Sequence, residues 1–120
     1  MTMDNHTFLA FDLGATSGRA VVGTLSEGKF TMEEIHRFPN GIMELHGRYH
    51  WNIYNIYEEL KQSLIKCSQK GIRPYSIGID TWGVDFGYIA SDGSLLGLPR
   101  AYRDPYTDGI PEELFKIVPR

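Results

Sequence analysis

Of the 120 residues only one is cysteine, Cys67, so no internal disulfide can staple the chain and no thiolate cluster can hold zinc. Its position inside a helical pattern reads as packing. No apolar run approaches the roughly 18 residues that a membrane helix needs. The start, "MTMDNHT", lacks the basic-then-apolar order of a secretion signal, so we expect a cytoplasmic chain with no membrane partner. Lys and Arg number 12 against 15 Asp and Glu, and they form no stripe, which argues against nucleic acid as the main partner. There is no internal repeat, no low-complexity stretch, no Walker Gly-Lys-Ser/Thr, no Rossmann glycine spacing and no Gly-x-Ser-x-Gly around any serine. His46 and His50 are four apart, but Gly47 lies between them in a loop-like stretch, so they do not form a helix-face metal pair.

What is present is an α/β pattern, with 42% hydrophobic residues, enough to bury a core. Thr7 to Asp12 is a run of strand formers that ends on an acid. Gly14 permits a tight turn, and "RAVVGTL" (19–25) is a second strand. "SEGK" is the next turn, and "FTMEEIHRF" (30–38) makes the third strand of an antiparallel meander. Pro39, Asn40 and Gly41 end it in a turn, and residues 41–50 read as loop. Asn52 caps a helix whose apolar positions are Ile53, Ile56, Tyr57, Leu60, Leu64 and Cys67, with Gly71 as the stop. "YSIGID" (75–80) is a strand reached through that helix, so it should pair parallel to an earlier one, and it too ends on an acid, Asp80. "VDFGYIA" and "SLLGL" around "SDG" read as a hairpin, and Pro111 starts a last helix. The order β, β, β, α, β with acids at two strand ends is the topology of the ribonuclease H-like and actin-like ATPase folds, with a mixed sheet. A helix that begins close to the final residue is an odd close for a complete domain, so we expect the fold here to be incomplete.

Two segments concentrate chemistry. In "DLGATSGR", Gly14 and Gly18 allow a ligand close to the backbone, and Thr16 and Ser17 offer hydroxyls and amides to phosphate oxygens. Asp12, just upstream, suits Mg²⁺, a hard cation that prefers oxygen ligands. It equally suits a plain strand end followed by a hairpin, and spacing does not choose between the two. In "GIDTWGVDFG", Asp80 and Asp85 can assist a metal or hold hydroxyls, Trp82 can stack on a sugar face or join the core beside Phe86, and Gly83 leaves its backbone open to a ligand.

Together "AFDLGATSGR", "EIHRFPNG", "SIGIDTWGVDFG" and "GLPRAYRD" resemble the FGGY family of carbohydrate kinases, and within it the kinases of L-rhamnulose; the resemblance runs across nearly the whole chain. It implies transfer of the ATP γ-phosphate to the 1-hydroxyl of L-rhamnulose. By the same resemblance Ala15, Thr16, Ser17, Gly18 and Arg19 would line the ATP phosphates, Asp12 would stand near Mg²⁺, and Gly83 would bind the sugar with Trp82 and Arg103 as neighbours. Residues 1–120 would then be the N-terminal part of the first kinase domain. The aspartate base that activates the acceptor in this family has no counterpart in the chain, and the fragment alone is expected to be inactive and to self-associate through exposed core surface. Three alternatives stay open: another member of the family such as an L-fuculokinase, a ribonuclease H-like nuclease holding two metals on Asp12 and Asp80, and a non-catalytic sugar or nucleotide sensor.

Overall fold

The structure is a computed structural model that describes residues 6–120, so the signal-peptide reading of residues 1–5 lies outside the described residues. Two compact units are formed. One takes the chain up to Gly41 together with Asn52–Gly83, the other Ile42–Trp51 together with Val84–Arg120.

The first unit carries the expected meander. Strands β1 (His6–Leu13), β2 (Ser17–Ser26) and β3 (Lys29–Pro39) are antiparallel neighbours. Their turns are short: β2 and β3 are joined at Glu27 and Gly28, both at positive φ (50° and 75°), the backbone that suits the twist of a two-residue hairpin. After helix α1 (Ile53–Gln69) the chain returns as β6 (Ser76–Asp80), parallel to β1, giving the sheet order β3-β2-β1-β6. Alternate residues of the meander face the helix: Leu9, Phe11, Ala20, Val22 and Ile35 close on Cys67, and Leu13 and Phe38 close on Ile56. Burial pushes the Cys67 thiol pKa up, consistent with a packing role. The Asn52 side chain accepts from the Asn55 amide at 3.1 Å, and the helix stops before Gly71 at φ 70°. The apolar stripe on α1 is narrower than its periodicity predicts, because Tyr57 and Leu64 are exposed. Ser63 takes an inward place instead, its hydroxyl donating to the Glu59 carbonyl one turn back at 2.9 Å.

Two glycines in β2 are required by packing. A Cβ on Gly18 would lie 2.2 Å from the tip of the Phe38 ring, and one on Gly23 would lie 2.4 Å from Phe30. Gly18 is thus first a floor for the Phe38 ring, a role its place in the glycine-rich loop did not announce. One polar network ties β3 to α1. Lys66 Nζ, which can only donate, meets His36 Nδ1 at 2.8 Å, so the ring proton sits on Nε2 and points at Glu59 Oε2, 2.6 Å away.

The second unit departs from the expectation of a loop at 41–50. Strands β4 (Ile42–Leu45) and β5 (Arg48–Trp51) form a hairpin around His46 and Gly47, at φ 52° and 72°. The other edge of β5 meets residues 99–101: the Trp51 amide donates to the Pro99 carbonyl at 3.0 Å and the Ala101 amide to the Tyr49 carbonyl at 2.9 Å. The hairpin expected over 84–98 shrinks to a single bridge, Ile89 with Leu95, around the predicted turn. Helix α2 (Ile110–Ile117) has Pro111 in its first turn, as expected.

Buried Asp104 organises the loop that leads into α2. It accepts from the Tyr49 amide at 2.7 Å and the Tyr106 amide at 2.9 Å, with Arg100 at 3.6 Å. The Tyr49 hydrogen bond, helped by that of Tyr106 and the Arg100 charge, holds its carboxyl below the ordinary pKa. A lowered carboxylate pKa stabilises the fold above its unfolded value and loses that contribution as the pH falls through the folded one. The melting temperature of Asp104→Asn in the full-length protein should therefore fall below wild type at neutral pH, and the gap should narrow on acidification below about pH 4.

Candidate functional site

β1 and β6 run parallel and in register, so Asp12 and Asp80 are paired neighbours at the carboxyl ends of adjacent strands. In open α/β sheets that edge is where ligands bind, because the loops leaving the strand ends converge there. Two such loops leave from it: Gly14–Thr16 after β1 and Thr81–Gly83 after β6. The sequence marked both segments separately, and the parallel pairing brings them to one end of one sheet.

Asp12 is held by Arg19, its direct cross-strand partner. Arg19 Nε and Nη2 both reach Asp12 Oδ2 at 2.9 Å, with both side chains about half exposed (46% and 44%). Arg19 also approaches Glu34 at 3.9 Å. Its guanidinium is thus paired with carboxylates, beside the loop that the resemblance sets against phosphate. Among the described residues no group of three or more His, Cys, Asp or Glu side chains could hold a metal ion. Asp12 and Asp80 are hard oxygen donors of the kind Mg²⁺ takes, and the donor set fits an ion that completes its shell with phosphate oxygens and water.

The loop itself is tight. The Gly14 amide donates to the Ser17 carbonyl at 2.9 Å, and a Cβ on Gly14 would meet that oxygen at 3.0 Å, so close approach is what selects glycine there. The amides of Ala15 and Thr16 donate to no protein acceptor among the described residues. Sequence reasoning missed Asn40. Read as part of a turn, it is instead buried (4% exposed) and bound to the loop 26 residues earlier in the chain. The only hint was a polar residue set directly against an apolar strand.

The residues assigned to the sugar are distributed differently. Trp82 is partly buried and packs on the Leu13, Phe38 and Ile56 cluster, which takes up part of its face. Gly83 is exposed with nothing within 4 Å of where a Cβ would stand. Val84, next to it, holds φ 68°, a left-handed backbone uncommon for a β-branched residue. Arg103 belongs to the second unit, where it lies 5.6 Å from the Tyr102 ring and lines a hollow with Ile42, Glu44 and Tyr49. Asp85 belongs to the second unit, where its Oδ2 accepts from Trp51 Nε1 at 2.6 Å. His46 occupies a turn and His50 a strand, so they share no helical face.

Comparison with known proteins follows the same lines. No family model matches the chain. In sequence it is 49% identical over 115 residues to a rhamnulokinase of Bacteroides thetaiotaomicron, covering 96% of this chain and 24% of that protein. It is 42% identical over 110 residues to a rhamnulokinase of Oceanobacillus iheyensis, covering 92% of this chain and 23% of that one. The chain thus spans about a quarter of the length of the curated relatives it matches. In structure it superposes on a gluconate kinase of Lactobacillus acidophilus with TM-score 0.75 at 15% identity, over 95% of this chain and 23% of the other. A xylulose kinase of Rhodospirillum rubrum gives 0.74 at 16%, over 95% and 24%. The fold is therefore the actin-like ATPase fold of the sugar kinases, present in part. Over the segment it shares with these relatives, the chain aligns in sequence with rhamnulokinases.

Proposed function

We propose that residues 1–120 are the N-terminal part of the first domain of a cytoplasmic kinase that transfers the ATP γ-phosphate to the 1-hydroxyl of L-rhamnulose, and that they supply its donor side. One observation carries the reading: the Asp12–Asp80 pair stands at the strand ends from which the Gly14–Thr16 loop, with its open amides, departs. Phosphoryl transfer asks mainly for positioning and charge stabilisation, and backbone amides beside carboxylates are suited to both. Ala15, Thr16, Ser17, Gly18 and Arg19 would line the ATP phosphates, with Gly18 also keeping the loop on the sheet and Arg19 also orienting Asp12 through their ion pair. Asp12, with Asp80 beside it, would hold Mg²⁺, which when bound offsets phosphate charge. Gly83 would offer its backbone to the sugar, with Trp82 and Arg103 as further contacts. In this reading these residues serve the donor, and the acceptor base is not among them.

No helix among the described residues is long and apolar enough to cross a membrane. Ile77 and Ile79 of β6 are exposed although a parallel strand is normally covered, and the isolated 120-residue chain should self-associate through that surface.

The test is turnover by the full-length protein offered ATP, Mg²⁺ and L-rhamnulose, L-fuculose or xylulose in turn. The expected result is L-rhamnulose 1-phosphate as the product with the highest kcat/KM, and none from the isolated chain. A preference for another ketose would move the protein within the family. Mg²⁺-dependent nicking of a plasmid without sugar phosphorylation would instead favour the nuclease chemistry that two neighbouring carboxylates also permit.

A further inference from the structure

Asn40 makes two hydrogen bonds to one short loop. Its backbone amide donates to the Thr16 carbonyl at 3.0 Å, and its Nδ2 donates to the Gly14 carbonyl at 2.7 Å. It follows β3 directly and is buried, so it approaches the loop from the protein side. None of the described peptide bonds is cis, and in a trans peptide the carbonyl and the following N–H point in opposite directions. Fixing the Gly14 carbonyl on Asn40 therefore turns the Ala15 amide away from Asn40. Fixing the Thr16 carbonyl does the same for the Ser17 amide. Without Asn40 the Gly14 carbonyl would be free to rotate outward, and an oxygen facing a phosphate repels it where an amide attracts it.

We infer that Asn40 is a positioning residue for the nucleotide: by holding the carbonyls of Gly14 and Thr16 it aims the Ala15 and Ser17 amides at the donor phosphates. The inference rests on the proposed kinase reading. It adds that one buried side chain sets the polarity of the loop.

Two variants of the full-length protein test it, Asn40→Ala and Asn40→Asp. The aspartate keeps the shape and the backbone bond but cannot donate to the Gly14 carbonyl at neutral pH. In both, KM for ATP and the calorimetric Kd for ATP should rise roughly ten- to a hundredfold, as for loss of a buried hydrogen bond. KM for L-rhamnulose should stay within about twofold, a split that general loosening of the fold would not produce. Wild-type ATP affinity in both variants would overturn the inference, as would equal rises in KM for ATP and sugar, or failure of both variants to fold. If the wild-type protein binds ATP but does not phosphorylate L-rhamnulose, the kinase reading fails, and the Asn40 inference is still judged by the Kd for ATP. A wild type that binds no ATP overturns both.

Discussion

Replacing Asp12 by Asn in the full-length protein should lower kcat with ATP and L-rhamnulose by roughly a thousandfold, the scale of several kcal/mol that an assisted metal supplies to a charged transition state. The substitution keeps the size, removes the charge and leaves one acceptor oxygen beside an NH2 donor. Folding should hardly notice, because Asp12 and its partner Arg19 are both about half exposed and such a pair contributes about 0–1 kcal/mol. The measurement is a steady-state rate titrated with Mg²⁺ beside a melting curve. Wild-type turnover in Asp12→Asn would remove the carboxylate from the chemistry and leave it as the end of a strand. Arg19→Gln gives the complementary reading. It frees Asp12 Oδ2 without changing the carboxylate, so its effect should be far smaller than that of Asp12→Asn.

Gly18→Ala should be the most damaging single methyl in this chain. The new Cβ would stand 2.2, 2.6 and 2.8 Å from three atoms of the Phe38 ring, and that ring is 2% exposed with Leu13 and Ile56 packed around it. Neither the strand nor the ring can move without opening the core, so a loss of about 1–3 kcal/mol or more is expected, read as a lower melting temperature of the full-length protein. Gly23→Ala makes a similar geometric clash, 2.4 Å from Phe30, but that ring is 58% exposed and can swing into solvent. Its melting temperature should remain close to wild type. Adding Phe38→Leu to Gly18→Ala should recover part of the loss, because the two residues compete for one space and their effects cannot add. Equal losses in Gly18→Ala and Gly23→Ala would mean that the packing against Phe38 does not set the requirement for glycine.

Much of this fold could be read from local patterns. The meander, the Asn52 cap and the parallel return to Asp80 follow from alternation, capping chemistry and the rule that a helical crossover joins parallel strands. The β4–β5 hairpin was hidden because its turn uses His46, a residue that takes positive φ less readily than the asparagine or aspartate usually found before glycine. The α1 stripe was overread, since periodicity marks Tyr57 and Leu64 as apolar positions and cannot tell that both are exposed. In the site, the two acids and the small-residue loop were visible as types. Their adjacency needed the register of β1 with β6, the Arg19 ion pair needed the register of β1 with β2, and Asn40 needed the contact between the end of β3 and the loop. Asp85 and Asp12 looked alike in the sequence, each an acid in a motif, and the partners of the two, Trp51 for one and Arg19 for the other, needed the folded chain.

The Asn40 clamp also bears on the order in which the chain assembles. The loop it holds, the strand that carries it and the strand between them are sequential hairpins with short turns, and hairpins form in about 1–10 μs. Asp80 reaches Asp12 only by closing a far longer segment, across β2, β3 and α1, and that entropy must be lost before the contact is gained. As the chain leaves the ribosome, the amide cradle can therefore take shape while the second carboxylate is still unsynthesised, and the donor half of the site precedes the pairing that completes it.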